Sequence, residues 1–262
     1  MQPVLFSVFG IDVQTYGVSK ALAALVAAYL LGRAFERAGL KKDHAHDLVF
    51  WATVWGFVGA KVYFLLEQAA VGTVTLHDLG GMGFTWYGGL ISGLIAAMVI
   101  IRRHHLPIGI VAGATAIPLT VAYGIGRLGC FLSGDGTYGQ PSSLPWAMAF
   151  PNGVVATDVP VHPTPLYEAS AAVVVAGILW GVGTNWAPPA VFGAYLGLSG
   201  AVRFLVEMVR TNDPVMLGLT QPQLWSVVSI LAGAIVIART KPLLLATGEP
   251  SPTRRRAAPA TH

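Results

Sequence analysis

Long apolar stretches alternate with short polar connections along most of the chain. Seven of these stretches are almost free of charge, and each approaches the roughly 20 apolar residues that a helix needs to cross a bilayer core. Turn-forming residues such as Pro107 and the proline pair at 188–189 stand between them. The pattern predicts an all-α polytopic membrane protein with seven transmembrane helices. The predicted spans are residues 18–35, 48–66, 84–101, 106–126, 165–183, 190–208 and 222–238.

The composition supports a membrane location. Charged residues make up only 11% of the chain, whereas a soluble domain has about 25%. Many of the 31 glycines lie inside the apolar stretches, where small residues let helix backbones pack closely in lipid. The composition therefore argues against a soluble domain of this length.

The basic residues predict the orientation of the spans. An N-terminus outside the cytoplasm places eleven of the sixteen Lys and Arg residues in inner loops or in the C-terminal tail. By the positive-inside rule, the sequence predicts an outer N-terminus and a cytoplasmic C-terminus. The formal charge of +4 then reflects topology, and no nucleic-acid partner is expected. The eleven residues are Arg33, Arg37, Lys41, Lys42, Arg102, Arg103, Arg239, Lys241, Arg254, Arg255 and Arg256.

One membrane domain and one tail are predicted. Residues 1–240 form the seven-span domain, which includes an outer loop at 127–164, and residues 241–262 form a disordered basic cytoplasmic tail. No internal repeat stands out, which disfavours a small-solute transporter built from two repeated halves.

A glycine-rich stretch, Gly126–Gly139, begins where the fourth predicted span ends, and it contains Arg127. Such a stretch can present backbone N–H groups and a guanidinium to a phosphate. The alternative is a glycine-rich turn with an arginine that extends to the membrane interface.

Three charged residues lie near the outer end of the sixth predicted span. Arg203, Glu207 and Arg210 are spaced so that they share one helix face. Charges inside a membrane are costly and usually functional. The alternative is an ion pair that caps the helix.

The segment His162–Glu168 opens the fifth predicted span. Thr164 is a candidate N-cap, with Pro165 at the first helical position. Glu168 in the first turn could simply oppose the helix dipole. His162 has no second histidine nearby, and His104–His105 stands beside two arginines and is interpreted as a topology signal. The sequence predicts neither a metal site nor a cofactor.

Several blocks, in this order, resemble the prolipoprotein diacylglyceryl transferase family, and the one around Arg127 is the most specific. Together they cover most of the chain from about residue 4 to 240. The blocks are Thr15–Tyr16–Gly17, Tyr87–Gly88–Gly89–Leu90–Ile91, Gly126 to Gly139, His162 to Glu168, Arg203 through Arg210 and, more weakly, Gln223–Leu224–Trp225–Ser226.

The resemblance implies a multi-pass enzyme of the bacterial inner membrane. Its two substrates would be phosphatidylglycerol and the signal peptide of a preprolipoprotein with a lipobox cysteine. The diacylglyceryl group would pass to that thiol as a thioether, releasing glycerol phosphate. Arg127, Arg203 and Tyr87 would be catalytic. The substrate-binding residues would be Arg127, Tyr16, Ser133, Gly139, His162, Glu168, Glu207 and Arg210.

Tyr87 departs from the family pattern, in which a histidine often proposed as the base precedes Gly-Gly-Leu. A tyrosine is ordinarily protonated at neutral pH, so it is expected to donate a hydrogen bond and to position the lipid head group. Its interfacial location is also typical of a membrane aromatic belt. The departure keeps a second function open, that of a catalytically weak relative that binds or moves anionic phospholipid.

Overall fold

Seven long helices dominate the computed structural model, which describes residues 1–9, 11–73, 75 and 83–247. Within these residues all seven are long and apolar enough to cross a membrane, which confirms the predicted fold class. The helices are α1 (Thr15–Arg37), α2 (Lys42–Val71), α3 (Trp86–Arg103), α4 (Ile108–Ser133), α5 (Thr164–Gly183), α6 (Pro188–Glu207) and α7 (Gln221–Thr247).

Two helices continue at least seven residues beyond their predicted ends. α4 reaches Ser133 instead of ending at residue 126. Glycine is needed at 129 because α4 packs closely against α1. A Cβ at this position would lie 1.8 Å from Oγ of Ser19 on α1. α7 continues to Thr247, so the first residues of the predicted tail are helical. The remaining tail, 248–262, lies outside the described residues, and its disorder stays a prediction.

Short antiparallel hairpins precede three of the helices, and the apolar pattern does not predict them. Each hairpin ends within three residues of the helix that follows it. Strands of two to five residues are too short to show an alternating pattern. The hairpins are β1 (Val4–Val8) with β2 (Ile11–Gln14) before α1, β3 (Met148–Phe150) with β4 (Thr157–Val161) before α5, and β5 (Pro214–Met216) with β6 (Leu219–Thr220) before α7.

The chain divides into two compact units, of which the smaller comprises residues 28–108. In this unit α2 and α3 pack antiparallel along a row of small residues. A Cβ at Gly88 would lie 2.4 Å from the Gly59 carbonyl oxygen, and one at Gly93 would lie 3.1 Å from that of Ala52. Backbones this close are typical of helix pairs in lipid, where shape complementarity replaces the hydrophobic effect.

The start of α3 is also tied to α2 by hydrogen bonds. The Thr85 backbone N–H donates to the Ala60 carbonyl at 3.1 Å, and the Thr85 hydroxyl donates to Glu67 Oε2 at 2.9 Å. Tyr87 therefore lies between Thr85, which is held on α2, and Gly88, whose backbone contacts α2.

The larger unit comprises residues 1–27 and 109–262. Its membrane core lies between α4, α5 and α6, where small and β-branched side chains interlock around Leu179, which is fully buried. A second small core holds the segment between α4 and α5. There the rings of Tyr138 and Phe150 stack at 4.2 Å, and Phe131 from the last turns of α4 packs against Phe150 edge-on.

Candidate active site

A fully buried carboxylate on α5, that of Glu168, lies at the centre of a charged cluster in the larger unit. The Tyr123 hydroxyl donates to Glu168 Oε1 at 2.5 Å. Arg203 Nη1 donates to the same oxygen at 3.2 Å, and Arg127 Nε lies 3.1 Å from Oε2. Side chains from α4, α5 and α6 thus meet at one carboxylate.

Glu207, the last residue of α6, supplies the second carboxylate and is also buried. Its Oε2 lies 2.8 Å from Arg203 Nη2, so Arg203 bridges the two glutamates. Its Oε1 accepts hydrogen bonds from the Thr220 hydroxyl at 3.0 Å and from the Asn212 amide. These bonds fix the carboxylate that orients Arg203.

Arg210 does not share a helix face with the other two residues, because α6 ends at Glu207. It pairs instead as a β-bridge with Gly139, and its carbonyl accepts a hydrogen bond from the Gln140 side chain at 3.1 Å. The guanidinium still reaches the cluster, with Nε 3.7 Å from Glu207 Oε2 and Nη1 3.8 Å from Glu168 Oε2. Arg203, Glu207 and Arg210 lie close together as predicted, but helical spacing is not the reason.

The cluster has more positive than negative charge. Three guanidiniums face two carboxylates, which leaves one formal positive charge. Nη1 of Arg210 is buried and makes no hydrogen bond. Burial, together with the nearby charge of Arg203, lowers the pKa of Arg210 below its ordinary value, and the two glutamates oppose that shift. An additional anion beside Arg210 would therefore be stabilised.

Arg127 lies inside α4, so residues 126–133 form neither of the two predicted alternatives, a segment with exposed backbone N–H groups or a glycine-rich turn. Backbone N–H groups within a helix are already bonded to carbonyl groups four residues earlier. Only the guanidinium is available to a phosphate, and it lies over the Tyr123 ring, 5.1 Å from the ring centre. The Arg127 side chain is 19% exposed and so remains within reach of a ligand.

The first turn of α5 also differs from its prediction. Pro163 is the N-cap, and Thr164 is the first helical residue. The Thr164 hydroxyl donates to the Thr137 carbonyl at 2.6 Å, which fastens the segment between α4 and α5 to α5. Glu168 lies beyond the first turn and faces the arginines, so the helix dipole does not account for it.

Gly139 and His162 both hold the segment that faces the cluster. A Cβ at Gly139 would lie 2.3 Å from the Val209 carbonyl oxygen, so only glycine allows the bridge to Arg210. His162 is half-buried, and its Nδ1 lies 3.2 Å from the Tyr167 hydroxyl.

Ser133 is the last residue of α4, and Tyr16 lies in the first turn of α1. Ser133 is 1% exposed, and its hydroxyl donates to the Gly129 carbonyl at 2.8 Å, within its own helix. Tyr16 is exposed, and its ring lies 4.7 Å from the Lys20 ammonium. Their substrate-binding roles stay predictions.

Tyr87 belongs to the smaller unit, where it is the second residue of α3. It is half-buried, and its ring lies edge-on to Trp86 at 5.2 Å. Its proposed role stays a prediction.

A model of the prolipoprotein diacylglyceryl transferase family matches residues 3–239. The chain belongs to this family. Three relatives are named phosphatidylglycerol–prolipoprotein diacylglyceryl transferase. The Clostridium tetani protein is 30% identical over 82% of this chain and 87% of its own length. The Idiomarina loihiensis protein is 31% identical over 92% and 94%, and the Geobacter sulfurreducens protein 30% identical over 92% and 97%.

Three residues of the cluster, Tyr123, Asn212 and Thr220, are not among the site residues predicted from the sequence. Tyr123 precedes Arg127 by one helical turn, and that spacing is a signal which the sequence does contain. Asn212 and Thr220 reach Glu207 only because the chain turns back through β5 and β6. No local pattern marks these two contacts.

Proposed function

We propose that this chain transfers the diacylglyceryl group of phosphatidylglycerol to the lipobox cysteine of preprolipoproteins, as a multi-pass enzyme of the bacterial inner membrane. The observation that carries the proposal is the cluster of three arginines on two buried glutamates, in a chain that belongs to the transferase family. The charge of the cluster and the chemistry of the reaction fit each other.

Arg127, Arg203 and Arg210 are suited to bind the phosphate of the lipid. Each guanidinium has more N–H donors than the glutamates use, and planar N–H pairs match phosphate oxygens. The glutamates hold the arginines in place before substrate arrives, so the site need not reorganise when negative charge develops.

The reaction exchanges one bond to a glycerol carbon for another. The cysteine sulfur forms the new S–C bond, the C–O bond to phosphate breaks, and glycerol phosphate leaves with its negative charge. The thiol must lose its proton, because the thiolate is the nucleophile. The departing glycerol phosphate, a phosphate monoester, can take up one proton, so the step balances. Arg127 would hold the phosphate, and Arg203 would stabilise the leaving group or the thiolate.

The remaining predicted residues are assigned supporting roles. Tyr16, Ser133, Gly139 and His162 would shape the substrate site at the outer ends of α1, α4 and α5. Tyr87 would position the head group by a hydrogen bond, an assignment that rests on the family pattern and marks this chain as a divergent member.

The same proposal includes the orientation of the chain. Lipoprotein signal peptides present their cysteine at the outer face of the inner membrane, so the cluster must open to that side. The excess of basic residues in the predicted inner loops supports an outer N-terminus and a cytoplasmic C-terminus.

Complementation of a bacterial strain depleted of its own transferase tests the proposal. We expect growth to be rescued, with a diacylglyceryl group on the lipoprotein cysteine by mass spectrometry. Arg127→Ala should abolish rescue because it removes the charge that receives the phosphate.

Arg33→Ala is the matched control, since this arginine is half-exposed and lies 3.9 Å from Glu36 in a surface ion pair. It should rescue as well as the original chain. Absence of the thioether despite normal membrane expression would reject transferase activity. Retained binding of phosphatidylglycerol in that case would identify the chain as a catalytically weak lipid-binding relative.

A further inference from the structure

A second cluster of ligating side chains lies in the smaller unit, at the end of the α2–α3 pair opposite to Tyr87. It comprises His44 and Asp47 near the start of α2 and His104, which caps the end of α3. One potential ligand atom from each residue lies within 4.8 Å of those of the other two. Along α3 the cluster is about 25 Å from Tyr87, at 1.5 Å per residue.

The fold explains why these residues meet. His44 and Asp47 are three residues apart and share one face of α2. The antiparallel contact between α2 and α3 brings the end of α3 to the beginning of α2. His104 is thereby placed against residues far from it in sequence, which is why the sequence predicts only a topology signal here.

Potential ligand atoms in this cluster lack good hydrogen-bond partners. His104 Nε2 lies 4.0 Å from Asp47 Oδ2, too far for a hydrogen bond. The rings of His44 and His104 lie 4.2 Å apart. Nδ1 of His44 is buried and has no hydrogen-bond partner. Buried polar atoms without a partner are rare and mark places where a further group can bind.

We propose that His44, Asp47 and His104 bind one divalent transition-metal ion of the zinc class, with water completing the coordination. Zinc bonds of about 2.0–2.2 Å place tetrahedral ligand atoms about 3.3 Å apart. Small side-chain rotations from the observed separations suffice to reach that distance. The ion would clamp the start of α2 to the end of α3.

The ligand set determines which metals are candidates. Two imidazoles and one carboxylate suit zinc and its neighbours, whereas Mg²⁺ and Ca²⁺ require mostly oxygen ligands. Basic residues on both sides of the cluster, including Lys42 and Arg103, further disfavour a hard cation that is held mainly by charge. This metal site is independent of the proposed transferase reaction, and the ion takes no part in it.

Zinc binding by the full-length protein tests the proposal. The chain is purified in detergent without a histidine tag, stripped with a chelator and titrated with Zn²⁺ by calorimetry. We expect one saturable ion per chain and a higher melting temperature when zinc is bound. His44→Ala and His104→Ala should each weaken binding more than about tenfold and abolish the thermal shift, since each removes a metal–ligand bond.

Two neighbouring histidines provide matched controls. His46→Ala and His105→Ala remove exposed imidazoles beside the cluster and should leave zinc affinity unchanged. Equal losses in the controls, or no saturable binding at one ion per chain, would overturn the proposal.

A direct measurement on the unsubstituted protein covers the case in which the variants do not fold. Zinc-edge X-ray absorption should show two imidazole ligands at about 2.0–2.1 Å. A spectrum without imidazole scattering would equally reject the site.

Discussion

Glu168→Gln tests whether buried carboxylates organise the arginines. The substitution keeps the size and shape of the side chain and removes its charge. The cluster then holds one glutamate against three guanidiniums, and the new amide group presents N–H donors toward Arg127, Arg203 or Arg210, depending on its orientation. The hydrogen bond from Tyr123 can persist, because the amide oxygen still accepts.

The expected cost follows from burial. Glu168 is fully buried, and the arginine side chains are 12–24% exposed, so water screens these pairs weakly. Breaking a buried ion pair by removing one partner costs about 3–5 kcal/mol. For a chain of this size that loss lowers the melting temperature on the order of 10 °C.

The changes in kcat and KM show whether Glu168 positions the guanidiniums or only changes the net charge that attracts the lipid. If the glutamate places the guanidiniums, kcat should fall about 10²-fold, as for a reacting group displaced by about 1 Å. KM for phosphatidylglycerol should not rise, because the cluster has become more positive. The assay is release of glycerol phosphate in vesicles that contain phosphatidylglycerol and a lipobox peptide.

A matched substitution provides the reference for that assay. Glu36→Gln breaks an exposed ion pair with Arg33, so it should cost no more than about 1 kcal/mol and leave kcat unchanged. If Glu168→Gln behaves like Glu36→Gln in melting and in rate, the carboxylate does not organise the arginines of the site.

Three further experiments address other parts of the structure. Tyr87→Phe should slow transfer only several-fold, because one hydrogen bond contributes about 0.5–1.5 kcal/mol; near-complete loss, with Tyr87→His restoring the rate, would instead identify a general base. Gly139→Ala should destabilise the protein by about 1–3 kcal/mol and lower activity by displacing the segment that carries Arg210, whereas Gly177→Ala, with open space around its Cβ, should be neutral in melting and activity assays. Reporter fusions should place residues 127–164 outside and 33–47 inside; a cytoplasmic signal from the 140s would overturn the topology.

The helices and most of the charged site could be predicted from the sequence because both depend on local rules. A span needs only length and apolarity, and an arginine or glutamate at membrane depth is conspicuous wherever it occurs. Arg203 and Glu207 stand out on those grounds, and Arg127 stands out within its glycine-rich stretch. In the structure Arg127 and Arg203 both contact Glu168, and Glu207 contacts Arg203.

The remainder depends on tertiary structure. Glycines at 126 and 129 suggest a turn, but they serve a close contact between α4 and α1. Arg210 reaches the cluster from a bridge to Gly139, which helical periodicity cannot represent. The histidines of α2 and α3 are distant in sequence, so only the antiparallel packing of the two helices brings them together.

Position 87 precedes Gly88, whose backbone contacts that of Gly59 on α2. Its location in the fold therefore does not depend on the chemistry of its side chain. Thr85 and Gly88, on either side of position 87, anchor α3 to α2 through backbone contacts that do not involve the side chain at 87. An evolving lineage can therefore exchange this side chain without moving the helix that carries it.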